Sequence, residues 1–255
     1  MTAPVYIAPL RDVSDGATVV LEGQEGHHAA TVRRTRVGER VDLVDGEGRR
    51  AHCEVSEVRK GSLTLVVNEI HREPEPSPRV TLVQALAKGG RDEQAVETST
   101  EYGIAALIPW QSSRTVVNWR GKEAKGRARW EATARAAAKQ SRRAWVPAIE
   151  EVHTTTQLTA RLREEAARGT RIYVCHEEGE TTLVRRLWEG TAAAERGNEI
   201  YVVVGPEGGI CAEELAEFSA LGADIVLLAP HVLRSATAGP YAMATLAAMH
   251  QPTSR

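Results

Sequence analysis

Two short segments near the C-terminus hold the residues of this chain that are best suited to binding a ligand. The first is Gly205–Gly209, with the sequence G-P-E-G-G. Glycines lack a Cβ atom, so their backbone can approach a ligand closely and adopt positive φ angles. The second segment ends at Arg234, the only lysine or arginine between Gly205 and Pro240. Its guanidinium is suited to stabilising negative charge that develops during a reaction.

The glycine spacing excludes the common nucleotide motifs. G-P-E-G-G differs from the dinucleotide fingerprint G-x-G-x-x-G, and the chain contains no P-loop sequence. A tight strand-to-helix turn that binds nothing explains this loop equally well when it is considered alone.

Buried strands are predicted to position both segments. Ile200–Val204 is a continuous apolar run, and Ile225–Leu228 is another, as in strands buried on both faces. A helix is predicted over Cys211–Leu221, an irregular loop over Ala229–Ala238, and the last helix over Pro240–Met249. Both loops follow strands, and ligands of open parallel sheets bind at the carboxyl ends of strands.

The preceding residues alternate between strand and helix patterns, which predicts an α/β domain with a mostly parallel sheet. Strands are expected over 80–87, 105–109 and 171–176, and helices over 92–102, 127–141, 156–168 and 182–188.

The N-terminal residues form a different pattern. Residues 1–72 predict a small β-rich domain with a hairpin turn at Asp45–Gly48 and one short helix over Glu25–Arg36. The proline-rich residues 73–79 predict an extended linker. We therefore expect domains at 1–72 and 80–255.

Composition narrows the class of protein. The net charge of −2 does not by itself indicate a protein that binds nucleic acid. The three cysteines are isolated in sequence, so neither a disulfide framework nor a zinc site is expected. The N-terminus lacks the apolar core of a signal peptide, and no apolar run reaches membrane-spanning length. These features predict a cytoplasmic protein without a metal and without a membrane partner.

The middle of the chain is locally basic. Ten lysines and arginines lie between Arg114 and Arg143, against only Glu123 and Glu131, with tryptophans interleaved. This pattern predicts contact with nucleic acid. A solvated helix face with the tryptophans packed inward is the alternative.

The two C-terminal segments, VVGPEGGICAEEL and IVLLAPHVLRSATA, resemble the SPOUT class of RNA methyltransferases. Within that class they are similar to the 16S ribosomal RNA uridine N3-methyltransferase family, small-subunit methyltransferase E. Gly205–Gly209 matches the family's first loop in full. Its second loop, G-P-x-V-L-R-x-x-T-A, is matched by Pro230, Val232, Leu233, Arg234, Thr237 and Ala238.

The resemblance implies a parallel-sheet domain with a C-terminal trefoil knot and an N-terminal PUA-like β-barrel that binds RNA. It also implies a homodimer, S-adenosylmethionine as cofactor, and 16S ribosomal RNA of the small ribosomal subunit as partner. The implied cofactor-binding residues are Val204, Gly205, Pro206, Glu207, Gly208, Gly209, Leu228, Ala229, Pro230, Val232, Leu233, Arg234 and Thr237.

Further elements of the family have counterparts upstream. Lys88, Arg91 and Glu93 match a K-G-x-R-x-E loop, Arg114 matches an E-R-S-V element, and 139–143 match E-Q-S-x-R. The implied RNA-binding residues are Arg33, Arg34, Lys88, Arg91, Arg114, Gln140 and Arg143.

Five residues in the C-terminal region depart from the family pattern. Cys211 replaces a helix-capping serine, Ala229 replaces a glycine, and Gly239-Pro240 is an unusual start for the last helix. Ala236 replaces a glutamate, so no carboxylate at that position can act as a base in this chain.

The expected reaction is transfer of a methyl group to N3 of a uridine, with Arg234 and Arg114 as catalytic candidates and the proton acceptor unidentified. A SPOUT enzyme with another target, such as tRNA, and a non-catalytic RNA-binding protein of the same fold remain alternatives. A nicotinamide-dependent enzyme is the least favoured, because the fingerprint spacing is absent.

Overall fold

A computed structural model describes residues 3–191 and 198–250 of the chain, which divide into two units. The first unit contains the N-terminal residues through Glu75 together with Ala138–Val146. The second contains Pro76–Ala137 and the residues from Pro147 onward.

The first unit is a curled sheet of five strands among the described residues, in the order β1-β3-β4-β5-β2. Only β1 and β3 pair in parallel, and the other pairs are antiparallel. Alternate residues such as Val41 and Leu43 are buried on one face, which explains why the period-2 pattern predicted these strands. The strands are Val5–Ile7, Thr18–Leu21, Arg40–Val44, Arg49–Arg59 and Ser62–Arg72.

The predicted hairpin at Asp45–Gly48 is confirmed. Strands β3 and β4 pair on either side of it. The Asp45 carboxylate accepts hydrogen bonds from the backbone N–H groups of Glu47 at 2.7 Å and Arg49 at 3.0 Å, which fixes the turn.

The predicted helix over Glu25–Arg36 is shorter than expected. An α-helix, α1, spans Gly23–His27, and a π-helical turn spans His28–Val32. The Thr35 backbone N–H and hydroxyl both donate to the Ala29 carbonyl, which closes the helix end. Arg34 then adopts a φ of 57°, so the helix cannot continue through it.

Residues 138–146 belong to the first unit, whereas the sequence interpretation placed them within 80–255. The Gly48 backbone N–H donates to the Ala144 carbonyl at 3.0 Å, and the Val146 N–H donates to the Gly46 carbonyl at 2.9 Å. Such contacts join segments far apart in sequence, so no local pattern could reveal them.

The second unit is built on a sheet whose described strands all pair in parallel, where the sequence predicted a mostly parallel sheet. Its strand order is β11-β13-β10-β12-β6-β7-β8 in the described part of the chain, and β9 also pairs with β7. The central strands β6 and β12 are almost entirely buried, because helices cover both faces. The strands β6 to β13 are Arg79–Ala85, Ala106–Gln111, Ala148–Ile149, His153–Thr154, Arg171–Cys175, Thr181–Thr182, Glu199–Val204 and Asp224–Leu227.

Helices form a layer on each side of this sheet. On one side Leu82 and Val202 pack with Trp130 and Met243, while Val83 on the other side packs with Phe218. The helices α2 to α7 are Arg91–Glu101, Glu123–Gln140, Thr155–Ala167, Leu183–Thr191, Ala212–Ala220 and Ser235–Met249. No helix in 3–191 or 198–250 is long and apolar enough to cross a membrane.

The last helix begins earlier than predicted. It starts at Ser235, so Pro240 lies inside it, although proline usually ends a helix. The Arg234 carbonyl accepts hydrogen bonds from the N–H groups of Thr237 at 2.8 Å and Ala238 at 2.9 Å, forming a complete first turn before the proline.

Candidate functional site

The carboxyl ends of β10 and β12 and the loop that follows β13 line a cleft of about 390 Å³. The predicted glycine loop forms part of its wall, and Val232, Leu233 and Arg234 form another part. Arg114 also lines the cleft. The structure therefore brings together the two segments that the sequence singled out.

A narrower cavity of about 150 Å³ shares several of these lining residues. It adds the predicted residues Leu228, Ala229 and Pro230. Thr237, by contrast, is exposed and lines neither cavity, and its hydroxyl donates to the Arg234 carbonyl at 3.0 Å.

The glycine loop needs its glycines for two separate reasons. Gly209 has a φ of 74°, a left-handed conformation that other residues adopt only under strain. A Cβ atom on Gly205 would lie 2.6 Å from Cγ1 of Ile210, which is too close for any real contact. The loop is therefore tightly folded on itself.

Two arginines hold this loop from outside. Arg91 forms an ion pair with Glu207, with 2.9 Å between Nη1 and Oε1. Nη1 of Arg114 donates to the Gly208 carbonyl at 3.3 Å. Both arginines were predicted to bind RNA, and in the structure both contact the glycine loop, Gly205–Gly209.

Arg234 has an exposed side chain that forms no ion pair within the part of the chain that the structure describes. The sequence had suggested Glu207 as its best carboxylate partner, but Glu207 pairs with Arg91. The guanidinium at the cleft is therefore available to a ligand.

The loop after β10 was not predicted to belong to the site. Cys175, His176 and Glu177 all line the cleft. Their position after a buried strand at the same sheet edge was a usable signal. Burial raises the pKa of the Cys175 thiol to about 12, so it stays protonated at neutral pH and is a poor nucleophile.

Glu214 secures the base of the glycine loop. Its carboxylate accepts hydrogen bonds from the Thr155 hydroxyl at 2.7 Å, the Ser113 N–H at 2.9 Å and the Cys211 N–H at 3.2 Å. Burial acts to raise the pKa of Glu214, but these hydrogen bonds outweigh it and lower the pKa below its ordinary value. Glu214, at the third position of α6, thus satisfies the backbone N–H of Cys211, the residue that precedes the helix, as the glutamate of a capping box does.

Three of the ten basic residues in the middle of the chain form ion pairs among the described residues. Arg127 pairs with Glu131 and Glu151, Arg129 with Glu93, and Lys139 with Glu25. Trp110, Trp119 and Trp130 are buried, so they belong to the core and are not stacking platforms for bases. The inward-packing alternative is correct for these three tryptophans.

The remaining RNA candidates differ in accessibility. Arg33, Arg34, Lys88 and Gln140 are exposed. Burial lowers the pKa of the Arg143 guanidinium to about 10, so Arg143 is less accessible to RNA than the exposed candidates are. No cluster suited to a metal ion occurs among residues 3–191 and 198–250.

Two protein-family models match most of this chain. An RNA methyltransferase domain model matches residues 73–247, and an RNA methyltransferase PUA domain model matches residues 21–68. Ribosomal RNA small subunit methyltransferase E of Mycobacterium bovis is 45% identical over 93% of this chain and 88% of that protein.

The chain belongs to the ribosomal RNA small subunit methyltransferase E family. Another member, from Bacillus subtilis, is 30% identical over 92% of both proteins. A crystal structure of the Neisseria gonorrhoeae member bound to S-adenosyl methionine has a TM-score of 0.80 at 25% identity, covering 96% of this chain and 97% of that one. The family therefore accounts for the parallel-sheet fold and the PUA-like unit that the sequence predicted.

Proposed function

We propose that this chain transfers a methyl group from S-adenosylmethionine to N3 of a uridine in small-subunit ribosomal RNA. The observation that carries the proposal is the Arg234 guanidinium, exposed at a cleft whose walls are the two predicted loops. Membership of the methyltransferase E family supports the reaction class and the ribosomal RNA substrate.

The cleft fits such a cofactor. Its volume of about 390 Å³ lies within the range of small-molecule sites. Its wall at Gly205–Gly209 presents backbone groups, Leu233 offers apolar surface, and Leu228 adds apolar surface in the neighbouring cavity. The cofactor supplies an electrophilic methyl group when bound, and a family member has been crystallised with it.

The chain's own residues would stabilise charge and position the base. Uracil N3 loses its proton during methylation, and the resulting negative charge spreads to O2 and O4. A guanidinium near either oxygen stabilises that charge. Arg234 is our first assignment for this role, and Arg114, also at the cleft, is the second.

The decisive experiment is methyl transfer to small ribosomal subunits from a strain that lacks this gene. We expect incorporation at a single uridine that blocks primer extension, as an N3-methyl group does. Transfer to tRNA but not to ribosomal RNA would favour the enzyme with another RNA target. Calorimetry that detects no S-adenosylmethionine binding would favour the non-catalytic RNA-binding protein.

Gly208 offers a test of the cofactor placement. A Cβ atom there would lie 3.2 Å from both Cβ and the carbonyl oxygen of Arg114, so a valine must displace the loop. We expect Gly208→Val to weaken S-adenosylmethionine binding about tenfold or more. A displaced loop loses contacts with the cofactor, and a loss of about 1.4 kcal/mol of binding free energy raises Kd tenfold. Calorimetry on this variant and on Ala220→Val, an exposed control on α6, measures it. Unchanged affinity in Gly208→Val would refute the placement.

Arg33 and Arg34 are the proposed RNA contacts of the first unit. Both are exposed, and the φ of 57° at Arg34 ends the preceding helix. We expect the double alanine variant to bind RNA more weakly and to reduce the salt slope of log K by about 1 or more, because each phosphate contact releases counterions. Filter binding across a salt series measures the slope.

A matched control removes two other positive charges from the same unit. Arg59 and Lys60 are exposed at the turn between β4 and β5. Their double alanine variant should change the slope less. Equal salt slopes for the two double variants would show that Arg33 and Arg34 contribute no more to RNA binding than other exposed positive charges do.

The trefoil knot and the homodimer, which the resemblance implies, remain proposals. The division into domains at 1–72 and 80–255 with a linker over 73–79, which the sequence pattern predicts, is also a proposal, with Ala138–Val146 grouped with the first unit. Sedimentation equilibrium of the full chain tests the homodimer directly. A cytoplasmic location follows from the proposed ribosomal substrate and is tested by cell fractionation.

A further inference from the structure

Gln84 is a buried amide beneath the cleft that no part of the proposed reaction uses. It lies near the carboxyl end of β6 and is 0% exposed. Its Nε2 donates to Oγ of Ser235 at 2.8 Å and to the carbonyl of Ala85 at 3.2 Å. The bond to Ser235 joins the centre of the sheet to the first residue of α7.

The surroundings fix which way this amide points. If nitrogen and oxygen exchanged places, Oε1 would face the Ala85 carbonyl oxygen at 3.2 Å, and two acceptors repel each other. Nε2 therefore occupies the position between Ala85 and Ser235. In this orientation Oε1 has no hydrogen-bond partner among the described residues.

The orientation of Gln84 determines what the Ser235 hydroxyl can do. Because Oγ accepts from Nε2, its own proton is directed elsewhere. Ser235 is 6% exposed and lines the cleft, and within 3–191 and 198–250 its hydroxyl has no acceptor. Buried hydroxyls normally donate to a partner, so the missing acceptor is expected to come from a ligand.

The packing of α7 on β6 holds the pair in place. Gly239 lies one turn after Ser235 on the same helix face. A Cβ atom on Gly239 would lie 2.8 Å from Cδ2 of Leu82 and 3.3 Å from Oε1 of Gln84. The backbone of α7 at Gly239 therefore packs closely on the side chains of β6, which leaves the amide little room to rotate.

We propose that Ser235 donates a hydrogen bond to the ligand in the cleft and that Gln84 is the positioning residue that makes it a donor. The proposal rests on the proposed function, which makes that ligand S-adenosylmethionine. The acceptor is then an oxygen or nitrogen atom of the cofactor.

Calorimetry with S-adenosylmethionine on the full chain tests the pair. We expect Ser235→Ala to weaken binding about tenfold and Ser235→Thr, which keeps the hydroxyl, to bind nearly as well as the wild type. Gln84→Met has a similar shape without the donor and should weaken binding several-fold. The double variant Gln84→Met/Ser235→Ala should bind no more weakly than Ser235→Ala alone, because both changes act through one hydroxyl.

A matched control separates this role from loss of a buried bond. The Thr159 hydroxyl donates to Glu217 at 2.8 Å, and Thr159 does not line the cleft. Thr159→Val should lower the melting temperature without changing cofactor affinity. A wild-type affinity in Ser235→Ala would overturn the donor role, and additive losses in the double variant would overturn the positioning role of Gln84. Failure of the wild type itself to bind the cofactor would instead refute the proposed function.

Discussion

Arg234→Ala is expected to lower the single-turnover rate of methyl transfer about a hundredfold or more, the effect of removing one charge-stabilising donor. The side chain is exposed at the cleft and has no ion-pair partner among the described residues. Its removal therefore breaks no salt bridge there, and the melting temperature should fall only slightly. Rate and melting temperature are measured on the same preparation.

Two further variants define the role of this guanidinium. Arg234→Lys should recover little activity, because a point charge cannot reproduce the planar fork of arginine. Arg163→Ala, which removes an exposed arginine from α4, should transfer methyl groups at the wild-type rate. Near-wild-type transfer by Arg234→Ala would remove Arg234 from the catalytic residues, and a large fall in melting temperature would indicate a structural role.

Glu214→Ala is expected to lower the free energy of unfolding of the second unit by about 3 kcal/mol, since it removes a buried charged acceptor that three partly buried donors share. The carboxylate joins the loop after β7, the start of α4 and the start of α6. Urea titration followed by tryptophan fluorescence measures the change. Glu97→Ala, at an exposed position on α2, should stay within about 0.5 kcal/mol of the wild type.

The stability contributed by Glu214 should depend on pH. Because the folded-state pKa is lowered below the ordinary value of 4.5, the contribution is present above that value and is lost as the pH falls through the lowered pKa. The difference between wild type and Glu214→Gln should therefore shrink in acid. A difference that does not change with pH would show that the charge of Glu214 is not what stabilises the loop.

The sequence predicted those features of the fold and the site that depend on residues close together in the chain. The apolar run at Ile200–Val204 and the glycines after it predicted a strand and a ligand loop, because burial and positive φ are local demands. Parallel pairing followed from the alternation of strands and helices.

The sequence was insufficient where distant residues meet. The ion pair of Arg91 with Glu207 and the hydrogen bond of Gln84 with Ser235 each join segments more than a hundred positions apart. The last helix was placed too late because Pro240 ordinarily breaks a helix, whereas a complete turn closed by hydrogen bonds to the Arg234 carbonyl precedes the proline. The cleft residues Cys175–Glu177 were not predicted, because they form no recognisable sequence motif.

The discontinuity of the first unit has a consequence for its synthesis. Its five strands are complete at Arg72, but Ala138–Val146 leaves the ribosome only after all of Pro76–Ala137 has been made. At roughly 5–20 residues per second this delay lasts several seconds, during which Gly46 and Gly48 lack their backbone partners. We expect the N-terminal unit to reach its final protease resistance on the ribosome only when nascent chains extend beyond Val146.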